Sequence, residues 1–512
     1  MKKLIYILLG LVLTVGGHAQ FSPQTKDITE KFFPDPDIEI NTPAFQKKRG
    51  YTNYDEMMAY LNELQKAHPD VVKIQFIGES QKGMKIPMVT LNKGIENPMR
   101  VWLQGGLHGN EPASTEGILY LMDKLLNDSE YSYLLDRLEV TAVPMANIDG
   151  FEKQNRYAAN GLDLNRDQTK LLAPESVVLK QAFSDYQPEV AVDFHEYRPY
   201  RRDFVKLSTF GVTNIYDVMF LYSGNLNVPH NLRHFTKDVF VEAAGNTLTA
   251  NQMKSHAYFS ESKVLGEIEF HQGSFNSRSS ATSYALTNCV ASLIEVRGIG
   301  IGKTSFTRRV NSTFLVAKSY LETAYNHVDE VRAQIQTAIA TQDSAVVSHK
   351  RPIEDRSLQF IDIETSKEIT LEVRLKDAWN ATPKLQRQSP TAYLILPGND
   401  AILAKLKTLG IQVNPLDAAN SIEIEKYTVV EYQQDAEKYE GVNKQFVTLE
   451  VTTENKQFPE GTMVVNMSQK NSNLAIEVLE PEAPNSFVSF DQIHTTLHEE
   501  LPVYRYLKKE TL

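Results

Sequence analysis

Cysteine is almost absent from this chain: one, Cys289, in 512 residues. No intramolecular disulfide can form, no thiolate metal site can be built, and no lipidated N-terminal cysteine exists. Any metal would have to be held by histidines and carboxylates. Cys289 lies in an apolar run, 289–294, which predicts a buried, inert thiol rather than a nucleophile. Positive charge is also in short supply. The 53 Lys and Arg against 64 Asp and Glu leave a formal net charge of −11. That excludes the basic face of a generic nucleic-acid binder but leaves a small substrate open, because the local field decides there. Beyond residue 15 no run is long and apolar enough to span a bilayer. There is no internal repeat and no low-complexity tract.

The N-terminus is the exception. Lys2 and Lys3 precede the apolar stretch Leu4 to Val15, and Gly17-His18-Ala19 places small residues ahead of Gln20. Residues 1–19 read as a secretory signal peptide, too short in its apolar part for a stop-transfer helix. The expectation is a secreted or periplasmic protein with no stable membrane insertion once the signal is removed. An uncleaved anchor is the alternative.

What remains is ordinary globular composition, 42% hydrophobic and 23% charged, and its length allows two or three domains. Residues 20–50 form a polar, proline-bearing lead-in. Tyr54, Met57, Met58, Leu61 and Leu64 recur at helical spacing. Strand-like runs follow at 71–78, 86–91, 101–103, 138–144, 190–195 and 292–296, with a helix at 116–126 and one long helix at 314–339. Strands alternating with helices predict an α/β layered domain, here 51–345, with ligands at the strand ends. Residues 198–270 read as a mixed insertion that the pattern does not order. After about residue 350, alternation at 358–363 and 369–375, strand candidates at 393–396 and 462–465, and a short helix at 401–409 predict a β-rich accessory domain over 351–512.

The chemistry begins in Leu103-Gln-Gly-Gly-Leu-His-Gly-Asn-Glu111, just past an apolar strand. His108 and Glu111, three residues apart, can reach one divalent metal if the backbone turns, and Gly105 and Gly106 allow a turn. His195 ends another apolar strand, Val190-Ala-Val-Asp-Phe-His195. Two nitrogens and a carboxylate, with one position left for water, make a hydrolytic zinc arrangement. A satisfied core histidine is the alternative for His195. Asp193, on the same strand face, can orient a ligand from behind. His230, His234, His256 and His271 form no second tight set, and the His494/His498 pair lacks a third ligand.

Further motifs lie between and beyond these residues: Asn147-Ile-Asp-Gly-Phe151, Arg156, Asp163-Leu-Asn165-Arg166, and Glu295 in Leu293-Ile-Glu-Val-Arg297. With them the chain, over about 51–310, resembles the zinc carboxypeptidase family, the metallocarboxypeptidases that include the digestive carboxypeptidases. The resemblance implies a mixed central sheet flanked by helices. It also implies one Zn2+ on His108, Glu111 and His195, and a peptide or protein substrate with a free C-terminus. Glu295 would take the proton of the metal-bound water and pass it to the leaving amine; pairing with Arg297 is its alternative. Arg156 would stabilise the oxyanion, and Asn165 with Arg166 would clamp the terminal carboxylate. That clamp favours an exopeptidase. Two features depart from the family. Ile148 replaces the proline of its Asn-Pro-Asp-Gly turn. Where its mobile tyrosine belongs, the chain has Gly273-Ser-Phe-Asn-Ser-Arg-Ser279, with Phe275 and Arg278 but no tyrosine, and Tyr284 is a poor match. Arg278 could favour an acidic substrate group. Two other readings stand open: a zinc amidohydrolase or deacylase of similar fold acting on cell-wall peptides or N-acyl amino acids, and a non-catalytic peptide-binding protein.

Overall fold

The computed structural model describes residues 22–341, 344–416, 421–510 and 512; the segment read as a signal peptide lies outside them. Strands β1 (Val72–Glu79), β2 (Lys85–Leu91), β3 (Met99–Gln104), β4 (Leu138–Val143), β5 (Val190–Tyr197), β6 (Val218–Tyr222), β7 (Ser255–Ala257) and β8 (Val290–Arg297) make one sheet. Its order is β1-β2-β4-β3-β5-β8-β6-β7. The central four, β4, β3, β5 and β8, run parallel; β2 joins β4 antiparallel on one side and β6 joins β8 antiparallel on the other. Every residue of β5 is buried, as a strand covered on both faces requires. The α/β class and the mixed central sheet are as the sequence led us to expect.

Helices cover the sheet: α1 (Tyr54–Ala67), α2 (Pro112–Asn127), α3 (Pro174–Tyr186), α4 (Phe306–Asn326) and α5 (Val328–Ala340). A capping box between Asn53 and Glu56 opens α1, and Met57, Leu61 and Leu64 form its buried stripe. Helix α2 starts four residues earlier than its apolar pattern suggests, with Pro112 preset for the first turn. It lies so close to α4 that a Cβ on Gly117 would sit 2.3 Å from Thr313 Cβ. On the opposite face, Trp102 of β3 packs edge-on against Phe183 of α3 at 5.6 Å.

The single helix expected at 314–339 is two. His327 leaves helical torsions (φ −120°, ψ 27°), and Asp329 and Glu330 then occupy the first turn of α5. Acidic residues there complement a fresh helix N-terminus, a signal that the unbroken apolar periodicity hides.

The insertion at 198–270 supplies β6, β7 and part of a second sheet. That five-stranded sheet runs Val212–Asn214, Ile353–Asp362, Lys367–Asp377, Glu267–Gln272, Phe259–Val264. It therefore joins strands from both sides of residue 350, where the sequence pattern changes. Farther on the chain is β-rich: a six-stranded sheet includes Ala392–Ile395, Val503–Tyr506 and a long hairpin, Ser421–Gln434 with Gln445–Gln457.

One core residue has a measurable cost. Lys180 of α3 is buried, donates to Ser283 Oγ at 2.7 Å, and lies over the Phe183 and Tyr284 rings. No carboxylate pairs with it among the described residues, and burial pulls its pKa down to about 7. The unfolded chain thus binds the extra proton between pH 7 and the ordinary lysine range. Stability should rise with pH across that window, and the full cost falls below it. Lys180→Met is expected to stabilise the protein by roughly 2–4 kcal/mol at pH 6 and to flatten this pH dependence. Denaturant melts at pH 6 and pH 9 read both effects.

Candidate active site

The parallel strands β3, β5 and β8 end on one edge of the sheet, and the candidate residues leave from there. After β3 the chain turns through Gly106 (φ +62°), a left-handed torsion that favours glycine. The loop then lies flat on the 147–151 turn: a Cβ on Gly109 would come within 2.1 Å of the Gly150 carbonyl carbon. His108 is thereby fixed, and Glu111 caps the N-terminus of α2. His195 lies on β5, and Glu295 of β8 is its direct partner in the ladder, so both side chains leave the same face.

His108, Glu111 and His195 are buried and offer ligand atoms that all lie within 4.8 Å of one another, the only such group of three among the described residues. His108 Nδ1 is 2.8 Å from Glu111 Oε1, His195 Nδ1 is 2.8 Å from Glu111 Oε2, and the two Nδ1 atoms are 2.9 Å apart. The outer nitrogens face carboxylates: His108 Nε2 meets Asp163 Oδ1 at 3.1 Å, and His195 Nε2 meets Asp193 Oδ2 at 2.9 Å. A carboxylate at Nε2 keeps the proton there, so both Nδ1 lone pairs point inward. Two imidazole nitrogens, deprotonated as a metal ligand must be, and a carboxylate converging on one buried point can hold a small divalent cation. Burial works against charge on Glu111, yet the two histidines hold its carboxyl far below the usual range. Burial likewise opposes charge on His195, but Asp193 and Glu111 outweigh it.

The remaining candidates surround this centre. Arg156 grips Asp163 Oδ2 through Nε (3.0 Å) and Nη2 (2.9 Å), and its Nη1 reaches within 3.2 Å of His108 Nδ1. Asn165 is buried; its Oδ1 accepts from the Ser280 N–H at 2.8 Å, while its amide nitrogen has no protein acceptor among the described residues. Arg166 donates to the Asn165 carbonyl at 2.7 Å and has no carboxylate within ion-pair distance among the described residues. Glu295 is half-buried, and its carboxylate hydrogen-bonds to no described residue. Its pKa is raised by burial and by Glu111. Arg297 does not neutralise it, because that guanidinium bonds Gln24 (2.8 Å), Thr213 (3.0 Å) and the Asn214 carbonyl. His108, Arg156, Asn165, Arg166, Arg278 and Glu295 all line one cavity of about 900 Å³. Arg278 is also engaged: Glu440, Asn485 and Tyr439 hold its guanidinium.

Several residues of this centre escape a reading of the sequence. Glu196 accepts two hydrogen bonds from Arg309, at 2.9 and 2.5 Å, and takes the Ala113 N–H at 3.2 Å, while its own N–H donates to Glu111 Oε2 at 3.0 Å. It so ties β5 and α4 to the loop of the first two ligands. Three tyrosines also line the cavity, Tyr197, Tyr258 and Tyr439. Tyr258 is close enough to Glu295 and Arg201 to feel both charges, and burial raises its pKa. It follows β7 in the insertion, and its one sequence signal is a place at the end of a short strand. Tyr284 lies elsewhere, buried behind β3 with its hydroxyl on Gln104 Oε1 at 3.1 Å. His494 is exposed and pairs with Asp491.

The family model described as zinc carboxypeptidase matches residues 57–324. Carboxypeptidase 2 of Trichophyton rubrum is 29% identical over 478 residues, covering 89% of this chain and 87% of that protein. Probable carboxypeptidase 2 of Trichophyton verrucosum is 30% identical over 452 residues, covering 84% and 85%. Carboxypeptidase A of Helicoverpa armigera, a solved structure, superposes with a TM-score of 0.43 at 18% identity, covering 57% of this chain and 80% of that one. Among the described residues no helix is long and apolar enough to cross a membrane. The chain belongs to the zinc carboxypeptidase family and is a hydrolase acting on peptide bonds.

Proposed function

We propose that the protein removes C-terminal residues from peptides, using a metal-activated water and Glu295 as general base. The observation that carries this reading is the shared cavity. His108 of the three-ligand cluster, the Glu295 carboxylate and the Arg166 guanidinium all line one space, and neither of the last two has an ion-pair partner among the described residues. His108, Glu111 and His195 would hold one zinc ion, which when bound lowers the pKa of a water and polarises the scissile carbonyl. Glu295 takes the proton from that water and delivers it to the leaving amine. Arg156, held by Asp163 with Nη1 aimed at the cluster, supplies charge where the oxyanion develops. The Asn165 amide and the Arg166 fork receive the substrate's terminal carboxylate. Arg278 borders the terminal residue, and Tyr258 offers its phenol beside Glu295, in place of a tyrosine near residue 273. The reading of residues 1–19 supports an address outside the cytoplasm.

Amidating the C-terminus of a good peptide substrate tests the clamp. It removes the charge that Arg166 receives, so kcat/KM should fall by about 100-fold or more. Equal cleavage of the amide and the free acid would overturn the exopeptidase reading in favour of a deacylase or endopeptidase.

A further inference from the structure

The long hairpin of the C-terminal region ends at the catalytic cavity. Its tip is a two-residue turn between Tyr439 and Val442, closed by Tyr439 N–H to Val442 O (2.8 Å) and the reverse bond (3.2 Å). Glu440 and Gly441 both have positive φ, +50° and +92°, the torsions of a type I′ turn, where glycine and asparagine are usual. A glutamate there accepts backbone strain to place its carboxylate. That carboxylate meets Lys170 Nζ at 2.7 Å and Arg278 Nε at 3.1 Å. Lys170 is fully buried and belongs to no catalytic cluster. Arg278 and Tyr439 face the cavity, and Arg278 Nη2 donates to the Tyr439 hydroxyl at 3.0 Å. The segment that carries Arg278 also touches the clamp, since Ser280 N–H donates to Asn165 Oδ1 at 2.8 Å. The guanidinium that Glu440 neutralises thus stands beside the place where the last residue of a substrate would lie.

We propose that this hairpin tip is a wall of the substrate pocket, and that Glu440 selects the terminal side chain by neutralising Arg278 from behind. With Glu440 in place, Arg278 is not a free receptor for a second carboxylate, and the pocket favours neutral terminal residues over acidic ones. The proposal rests on the carboxypeptidase reading above. It assigns a part in specificity to a region that shares no sheet with the metal ligands.

Two peptides that differ only in a terminal Gln or Glu test it, because those side chains have nearly the same shape. The wild-type enzyme should release Gln faster than Glu. Glu440→Gln keeps the shape of the turn residue and frees the Arg278 charge, so the ratio of kcat/KM for Glu over Gln should rise about tenfold. The same variant strands the buried Lys170 and can weaken folding. The double variant Glu440→Gln/Lys170→Met removes that burden and should show the same rise. Lys170→Met alone, which leaves the Glu440–Arg278 pair intact, should lower the melting temperature without moving the ratio. Loss of activity on both peptides in equal proportion in both Glu440 variants would overturn the proposal and make Glu440 only a fastening. Release of neither residue by the wild-type enzyme, with any terminal side chain, would instead overturn the underlying reading.

Discussion

Glu295→Gln should lower kcat for release of a C-terminal residue by about 10³-fold, with KM little changed and the metal retained. The size follows from what the substitution removes. Glutamine fills the same volume but cannot take a proton, and positioned proton transfer contributes about 10²–10⁴-fold. The effect should not be confounded by misfolding, because the Glu295 carboxylate hydrogen-bonds to no described residue and Arg297 is satisfied elsewhere. Nor should it unload the metal, because the three ligand atoms come from His108, Glu111 and His195. Steady-state kinetics on one peptide, with zinc content measured on the same sample, separates the outcomes. A variant with full zinc and the wild-type rate would remove Glu295 from the mechanism.

Stripping the metal with a chelator should abolish turnover and also lower the melting temperature by a few degrees, with zinc restoring both. The second effect does not depend on catalysis. The two imidazole Nδ1 atoms and the Glu111 carboxylate converge on one buried point. A cation bound only by the folded state stabilises it by about 3 kcal/mol at a hundredfold excess over its dissociation constant. Asp193→Asn provides a graded version. It weakens the partner that keeps the His195 proton on Nε2, and zinc affinity should fall by about 10–100-fold. Full activity in chelated, zinc-free protein would refute the need for a metal.

The parts of this centre that short-range geometry dictates were legible in the chain. A histidine and a glutamate three apart after a strand, a histidine near another strand's end, and Asp-x-Asn-Arg are local patterns, and the first two sit where a loop leaves a parallel strand. The central sheet was legible for the same reason, since strands covered on both faces need near-continuous apolar runs. What stayed hidden depends on distant pairing. Tyr258 reaches the cavity through β7, a three-residue strand at the sheet's edge. The Ile353–Asp377 hairpin joins a sheet with Glu267–Gln272, although composition divides the two. Glu440 meets Arg278 across 162 residues, and nothing near either residue announces the other. Glu196 read as one more polar residue after His195, because its partner Arg309 lies 113 residues on.

The strand bearing Glu295 is the last of its sheet to be synthesised, yet it lies inside, between β5 and β6. His108 and His195 are 87 residues apart in the chain, and Glu295 follows His195 after about as many again. At a translation rate of about 5–20 residues per second, Glu295 emerges roughly 5–20 s after His195. Until β8 takes its place between β5 and β6, Glu295 has no ladder partner in His195. The topology therefore makes the completed sheet the condition for bringing Glu295 beside His195.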